Sequence, residues 1–213
     1  MNFDVICFDC DSTLSKIEGI DELAGRVGLG EEMARLTDAA MNGEVLLEEV
    51  YEKRLSLIRP DLDSINWLAD LYIEQIVGGV QEVFATLTAS GKELHIISGG
   101  IRQAILPLAR CLGVSERRVH AVDIYFNKDG SYRDYNQESP LARSGGKAEI
   151  CRQLLTSQGS LVMIGDGKTD MEAKQAGAVV IGFGGVVDRA VVREQADFYC
   201  AEPSLVSILA HIL

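Results

Sequence analysis

The sequence has no apolar run approaching the ~18 residues that a membrane-spanning helix requires, so no membrane partner is expected. It does not open on a secretory signal pattern, which points to a cytoplasmic location. Positive charge is scarce: 20 Lys and Arg stand against 32 Asp and Glu, a formal net charge of −12. Such an acidic chain repels nucleic acid and anionic lipid, so neither is expected to bind. Cysteine is sparse and odd in number, five in all. That suits a reducing compartment better than a disulfide framework. Cys7 and Cys10 have redox-pair spacing, but Cys7 falls within a strand and Asp9 intervenes. Both read as small packing residues, with Cys10 open to oxidation beside any site formed there. The three histidines, His95, His120 and His211, are isolated from one another, and each reads as structural. No internal repeat or low-complexity segment is present.

The 213 residues, 47% of them apolar, can bury a sizeable core, either as one large domain or as a core carrying an insertion. The β-branched and aromatic run from Phe3 to Phe8 reads as a buried strand. Four helical patterns follow between about Leu14 and Val77. The first carries Ile17, Ile20, Leu23, Ala24 and Val27, and ends at Gly28 and Gly30. The second carries Met33, Leu36, Ala40 and Met41, as far as Gly43. Leu47, Val50, Tyr51, Leu55 and Ile58 mark the third, stopped by Pro60. The fourth has Leu62, Ile65, Leu68, Leu71 and Tyr72, with the single Trp67. After Gly78-Gly79 a helix over 80–89 leads to a strand over 94–97 and a helix over 101–112, which Pro107 is expected to kink or restart. Segments 119–126 and 131–135 flank Asn127-Lys128-Asp129-Gly130, a hairpin signal. A helix over 147–155, a strand over 161–164, a short helix to Ala176, a strand over 178–181 and a last helix from Pro203 complete the series. The pattern is α/β: a doubly wound, mainly parallel sheet with an inserted helical cap. Residues 1–14 and 78–213 are expected to form the core, and 15–77 the cap.

Four stretches carry chemistry. Phe8-Asp9-Cys10-Asp11-Ser12-Thr13 puts two carboxylates at the carboxyl end of a strand, where open α/β sheets bind ligands. Side chains two apart on extended backbone point the same way, so both acids can reach one group. Ile97-Ser98-Gly99-Gly100 ends a strand and is expected to open a helix, with the Ser98 hydroxyl and the following amides free for phosphate oxygens. Ser144-Gly145-Gly146-Lys147 puts a lysine at a helix start, where the dipole disfavours it unless an anion lies nearby. Gly165-Asp166-Gly167-Lys168-Thr169-Asp170 brings further acids to a strand end. Clustered carboxylates repel unless a cation joins them, and hard oxygen donors beside a phosphate favour Mg²⁺.

Together these four stretches resemble the ordered motifs of the haloacid dehalogenase superfamily of aspartate-nucleophile phosphatases. Glu18 to Ala24, Met163 to Ala173 and Ile181 to Gly185 make the chain most similar to the phosphoserine phosphatases within it. The resemblance covers nearly the whole chain. It implies Asp9 as nucleophile, forming an aspartyl-phosphate, and Asp11 as general acid and then base. It implies Mg²⁺ held by the side chains of Asp9 and Asp166 and the backbone carbonyl of Asp11. Ser98, Gly99, Lys147 and Thr169 are then phosphate contacts, and Asp170 holds Lys147 or a metal-bound water. Alone, Asp170 also reads as a helix first-turn acid.

Arg54 falls on the apolar stripe of its helix. Periodicity alone favours an arginine snorkelling from a packed face, whereas the resemblance makes it the partner of the substrate carboxylate. Glu18 likewise reads as an ordinary first-turn acid or, by resemblance, as the acceptor of the substrate ammonium. Met41 and Gly43 match pocket-lining residues of the cap. Leu47 departs from the family, which commonly has an aromatic residue there. The implied activity is hydrolysis of L-phosphoserine, serving serine biosynthesis, by a monomer or homodimer. Phosphoethanolamine, phosphothreonine and phosphohomoserine are the nearest alternative substrates. A phosphoacceptor signalling module is the reading from another class; Asp11 and the helical insertion both speak against it.

Overall fold

Val5–Phe8 forms β1, a short strand whose four residues are all buried, as befits the middle of a parallel sheet. The computed structural model describes residues 3–213, and the backbone alone over 156–158. β1 pairs with β2 (Glu93–Ile101) on one side and with β6 (Leu161–Gly165) on the other, both in parallel. The six-stranded sheet has the order β3-β2-β1-β6-β7-β8, with β3 at Val119–Val122, β7 at Val179–Phe183 and β8 at Phe198–Cys200. The chain winds outward from β1 to β3, then returns to lay β6 on the other flank of β1. The seam between β1 and β6 is therefore the switch point, where the carboxyl ends of the strands open a crevice. Phe8 is level with both Ile96 and Ile164, so Asp9, Ser98 and Asp166 leave the sheet at one edge.

Helices α1 (Gly19–Arg26), α2 (Gly30–Asn42), α3 (Leu47–Ile58) and α4 (Leu62–Glu74) stand between β1 and β2. Each buries one apolar stripe, which is what stabilises helices this short. Gly43 ends α2 in the left-handed conformation, and Asp61 caps α4 by accepting from Ser64 N. The chain enters and leaves this insertion side by side, with Ser15 bridged to Ile76 and Val77 N donating to Leu14 O. α4 packs on α6 (Arg102–Cys111), and α2 on α8 (Lys168–Met171). α5 (Val80–Ala89) packs on β2, α7 (Gly146–Gln158) on β6, and α9 (Ala190–Gln195) on β7. α10 (Leu209–Ile212) ends the chain after a short 3₁₀ turn at Leu205–Ile208.

Several sequence expectations are corrected. Gly99-Gly100 does not open a helix: β2 continues to Ile101. Its register with β3 runs from Ile97↔His120 to Ile101↔Val122, four steps against two. Two surplus residues on β2 bulge out there and lift Ser98 to Gly100 off the ladder. Residues 119–126 are two strands, because the Gln103 side chain pairs with both Ile124 N and Ile124 O and takes Ile124 out of the sheet. β4 (Ile124–Phe126) then forms a separate antiparallel hairpin with β5 (Tyr132–Tyr135). α6 runs through Pro107 as one element, held by its buried Ala104, Ile105, Leu108 and Ala109. α9 and β8 carried no sequence expectation. His95 and His120 are not isolated: His95 Nδ1 lies 3.0 Å from His120 Nε2, and the rings stack. Cys7 and Cys10 are buried packing residues, as expected, but burial pushes the Cys10 thiol up and keeps oxidants away from it.

Candidate active site

Asp9 directly follows β1 and is buried, with its amide tied to Ile164 O at 2.9 Å. Lys147, in the first turn of α7, reaches in beneath it. Its Nζ lies 2.6 Å from Asp170 Oδ1 and 2.9 Å from Asp9 Oδ1. The Asp170 contact is a hydrogen bond. The Asp9 contact is a close ion pair without hydrogen-bond alignment, so Asp9 Oδ1 keeps a free lone pair. Burial alone would pull the lysine down, but Asp170 and Asp9 outweigh it and push the ammonium above its ordinary value. The anion that its helix position called for is thus in place.

Asp166 closes the seam from β6. Its Oδ1 accepts from Thr13 Oγ1 at 3.2 Å, and its Oδ2 faces Arg189 Nε at 3.5 Å with no hydrogen bond. Among the described residues, Asp9, Asp166 and Asp170 each offer a carboxylate oxygen, all within 4.8 Å of one another. Asp170 is already engaged, with Oδ1 on Lys147 and Oδ2 accepting from Gly167 N at 3.0 Å. Asp9 Oδ1 and Asp166 Oδ2 are buried and without hydrogen bonds. Each faces a cation, Lys147 or Arg189, yet keeps acceptor capacity unused; two such buried hard oxygens suit a divalent cation, and this donor set fits Mg²⁺. Burial and neighbouring acids push Asp166 well above the usual carboxylate range, as expected of a cluster short of positive charge.

The Asp11 side chain turns away from this cluster. Its Oδ1 accepts from Gly19 N and from the Tyr72 hydroxyl, both at 2.7 Å, and its Oδ2 lies 3.4 Å from Ser98 Oγ. Burial, then the charge of Asp9, raises it to about 6. Ser98 Oγ accepts from Gly100 N at 3.0 Å, and a Cβ on Gly100 would stand 2.9 Å from Asp11 Oδ2. That near contact, not a helix start, is what calls for glycine there.

One cavity collects Asp9, Asp11, Glu18, Met41, Arg54, Ser98, Gly99, Lys147 and Thr169. Asp166 and Asp170 lie behind its wall. Gly43 does not line it either; that glycine packs on the Lys168 side chain. Arg54 is only 4% exposed. Its Nη1 donates to Thr37 Oγ1 at 3.2 Å, and its Nε has no hydrogen-bond partner. An arginine snorkelling from a surface would keep its head in water; this one is buried and aimed into the cavity. Glu18 accepts from Ser12 Oγ at 2.7 Å, and burial pushes its carboxyl well up. Thr169 Oγ1 is buried without a partner.

A family model described as haloacid dehalogenase-like hydrolase matches residues 3–177. The chain is a haloacid dehalogenase-like hydrolase. A chloroplastic phosphoserine phosphatase of Arabidopsis thaliana is 37% identical to it over 199 residues, 92% of this chain and 68% of that protein. A phosphoserine phosphatase of Drosophila melanogaster is 37% identical over 201 residues, 93% of this chain and 74% of that one. A solved phospho-aspartyl intermediate analogue of phosphoserine phosphatase superposes with a TM-score of 0.85, at 27% identity and full coverage of both chains.

The hydrolase also places residues at the site that sequence reasoning did not single out. Tyr51, on α3, lines the cavity and donates to Gly99 O at 2.9 Å. Thr37 links Arg54 to Asp21, donating to Asp21 Oδ1 at 2.7 Å. Arg189 joins Asp166 to Asp38 of α2, at 2.9 Å. Tyr51 and Tyr72 were legible only as apolar-stripe positions, and Arg189, a lone basic residue in a loop, carried no signal. Among the described residues, no helix is long and apolar enough to cross a membrane.

Proposed function

We propose that this hydrolase converts L-phosphoserine to L-serine and phosphate through a phosphorylated Asp9, with residues 15–77 acting as a cap over residues 1–14 and 78–213. The observation that carries the reading is Arg54: a buried guanidinium with an unpartnered Nε, in the same cavity as Asp9, Ser98 and Lys147. A buried cation left short of partners calls for an anion, and a carboxylate matches its fork. Glu18 in the same cavity suits an ammonium. The cavity then has a phosphoryl end and an amino-acid end.

In this reading an Asp9 oxygen bonds to phosphorus while the bond from phosphorus to the seryl oxygen breaks. Asp11 gives its proton to that oxygen, and serine leaves. Asp11 then takes a proton from water as the water attacks phosphorus, the bond from Asp9 to phosphorus breaks, and phosphate departs. Ser98, Gly99 and Thr169 hold phosphate oxygens. Lys147, steadied by Asp170, offsets charge on the transferring group. Mg²⁺, held by Asp9, Asp166 and the Asp11 carbonyl, would further neutralise that charge. The cap excludes water that would compete for phosphorus. Met41 and Gly43 bear on it where α2 meets the Gly167–Lys168 turn. Serine biosynthesis in the cytoplasm is the setting this reading suits.

The test is phosphate release from phosphoserine, phosphothreonine, phosphohomoserine and phosphoethanolamine in parallel, with Mg²⁺ and with chelator. Strong Mg²⁺-dependent preference for phosphoserine, abolished in a folded Asp9→Asn, is expected. Preference for phosphoethanolamine would overturn the assignment of Arg54.

A further inference from the structure

Tyr72 is the bulkiest wholly buried side chain of the insertion, at 0% exposure, and it is not part of the cavity wall. Its hydroxyl nevertheless ends on Asp11 Oδ1 at 2.7 Å. A buried hydroxyl needs a partner, and a main-chain carbonyl would have served a purely structural tyrosine. This one has a carboxylate that faces the cavity.

The geometry makes the two oxygens of Asp11 unequal. Oδ1 accepts from Tyr72 and, at the same distance, from Gly19 N. An oxygen accepting two short hydrogen bonds has its lone pairs engaged and is a poor place for a proton. Oδ2 has only the long 3.4 Å contact to Ser98 Oγ. The proton of the neutral acid therefore belongs on Oδ2. The approach also depends on Gly19, because a Cβ there would run into the Tyr72 hydroxyl and press on Asp11. Gly19 opens α1 and Tyr72 lies on α4, so both donors come from the insertion.

We propose that Tyr72 is a positioning residue for the first step, transfer of the phosphoryl group to Asp9 with release of the alcohol. By holding Asp11 Oδ1 it keeps the proton on Oδ2, aimed at the leaving oxygen. The inference rests on the reading of Asp11 as the general acid. As the Asp9 oxygen–phosphorus bond forms and the phosphorus–seryl oxygen bond breaks, the bonding pair stays on the seryl oxygen. That oxygen takes the Oδ2 proton and leaves Asp11 as a carboxylate, its charge shared with Tyr72 and Gly19. A substrate whose leaving group needs no proton should be indifferent to this arrangement.

The experiment compares kcat/KM for phosphoserine and for p-nitrophenyl phosphate in the wild type, Tyr72→Phe and Asp11→Asn. This ratio reports on steps up to release of the alcohol, before Asp11 acts on water. Asp11→Asn should lose activity on phosphoserine by ~10²-fold or more and largely spare the aryl ester, as a general acid must. Tyr72→Phe keeps the ring and its packing. It should lose roughly tenfold on phosphoserine, mainly in kcat with KM little changed, and less than about threefold on the aryl ester. Any fraction of unfolded variant lowers both values in proportion and leaves their ratio intact. If Asp11→Asn discriminates between the substrates and Tyr72→Phe does not, the positioning role is wrong. If Asp11→Asn lowers both substrates equally, the acid assignment fails and the inference falls with it.

Discussion

Lys147 Nζ and Asp170 Oδ1 stand 2.6 Å apart with almost no exposure on either side chain. Removing one partner of such a pair leaves a charge buried alone, at a cost of about 3–5 kcal/mol. Lys147→Ala should therefore lower the urea midpoint sharply, besides reducing turnover by at least ~10³-fold. Adding Asp170→Asn to Lys147→Ala should return part of the lost stability, because the stranded carboxylate is gone. Additive losses in that double-mutant cycle would mean the two side chains are not coupled.

Arg54 tests the amino-acid end of the cavity. Arg54→Ala should cost phosphoserine at least ~2 kcal/mol in kcat/KM, while phosphoethanolamine, which lacks the carboxylate, should lose little. Equal losses on both substrates would assign Arg54 to packing.

The acidic seam makes metal-free stability depend on pH. Burial raises Asp170 to about 7 and Asp11 to about 6, and pushes Asp166 and Glu18 up as well. The folded state then binds more protons than the unfolded chain, so stability falls as pH rises through this range. With chelator, the urea midpoint should drop between pH 6.5 and 8. Mg²⁺ should restore it most at pH 8, where fewest protons compete for the site. A chelated protein that gains stability over that interval would contradict the proton count.

The His95–His120 pair acts in the opposite direction at lower pH. Burial, with His95 beside it, lowers His120 to about 4, against an ordinary value of 6.5. The unfolded chain binds protons first, so stability is lost as pH falls below 6.5 and the loss levels off near 4. Allowing for its partial exposure, His120 accounts for on the order of 2 kcal/mol of that loss. His120→Phe should cost about 1 kcal/mol at pH 7, for the lost hydrogen bond. The variant should then equal or exceed the wild type at pH 4.5. A variant as acid-sensitive as the wild type would place the effect elsewhere.

The candidate chemistry was legible in the sequence because its parts are local. Asp9 directly follows one apolar strand, Asp166 directly follows another, and Lys147 stands in the first turn of a helix, so strand ends and a helix start place all three. Asp11 falls in the turn after β1, so its direction is set by Gly19 and Tyr72 and not by alternation along a strand. The four helices of the insertion were legible because they too are local, through 3.6-residue periodicity. The bulge at Ser98 to Gly100 was not, since it arises from a register mismatch with a strand about twenty residues further on.

The sequence by itself determined which side chains carry charge at the carboxyl edge of the sheet, because that follows from strand, turn and helix taken one at a time. Only the tertiary structure decided what each charge faces. Tyr72 meets Asp11 across 61 residues of chain. Arg189 joins Asp38 to Asp166, Tyr51 reaches Gly99, and Thr37 links Arg54 to Asp21. In their own helices, Tyr51 and Tyr72 look like ordinary core residues. They take on a polar role only because the insertion packs onto the core and brings a buried hydroxyl against an oxygen that needs a donor.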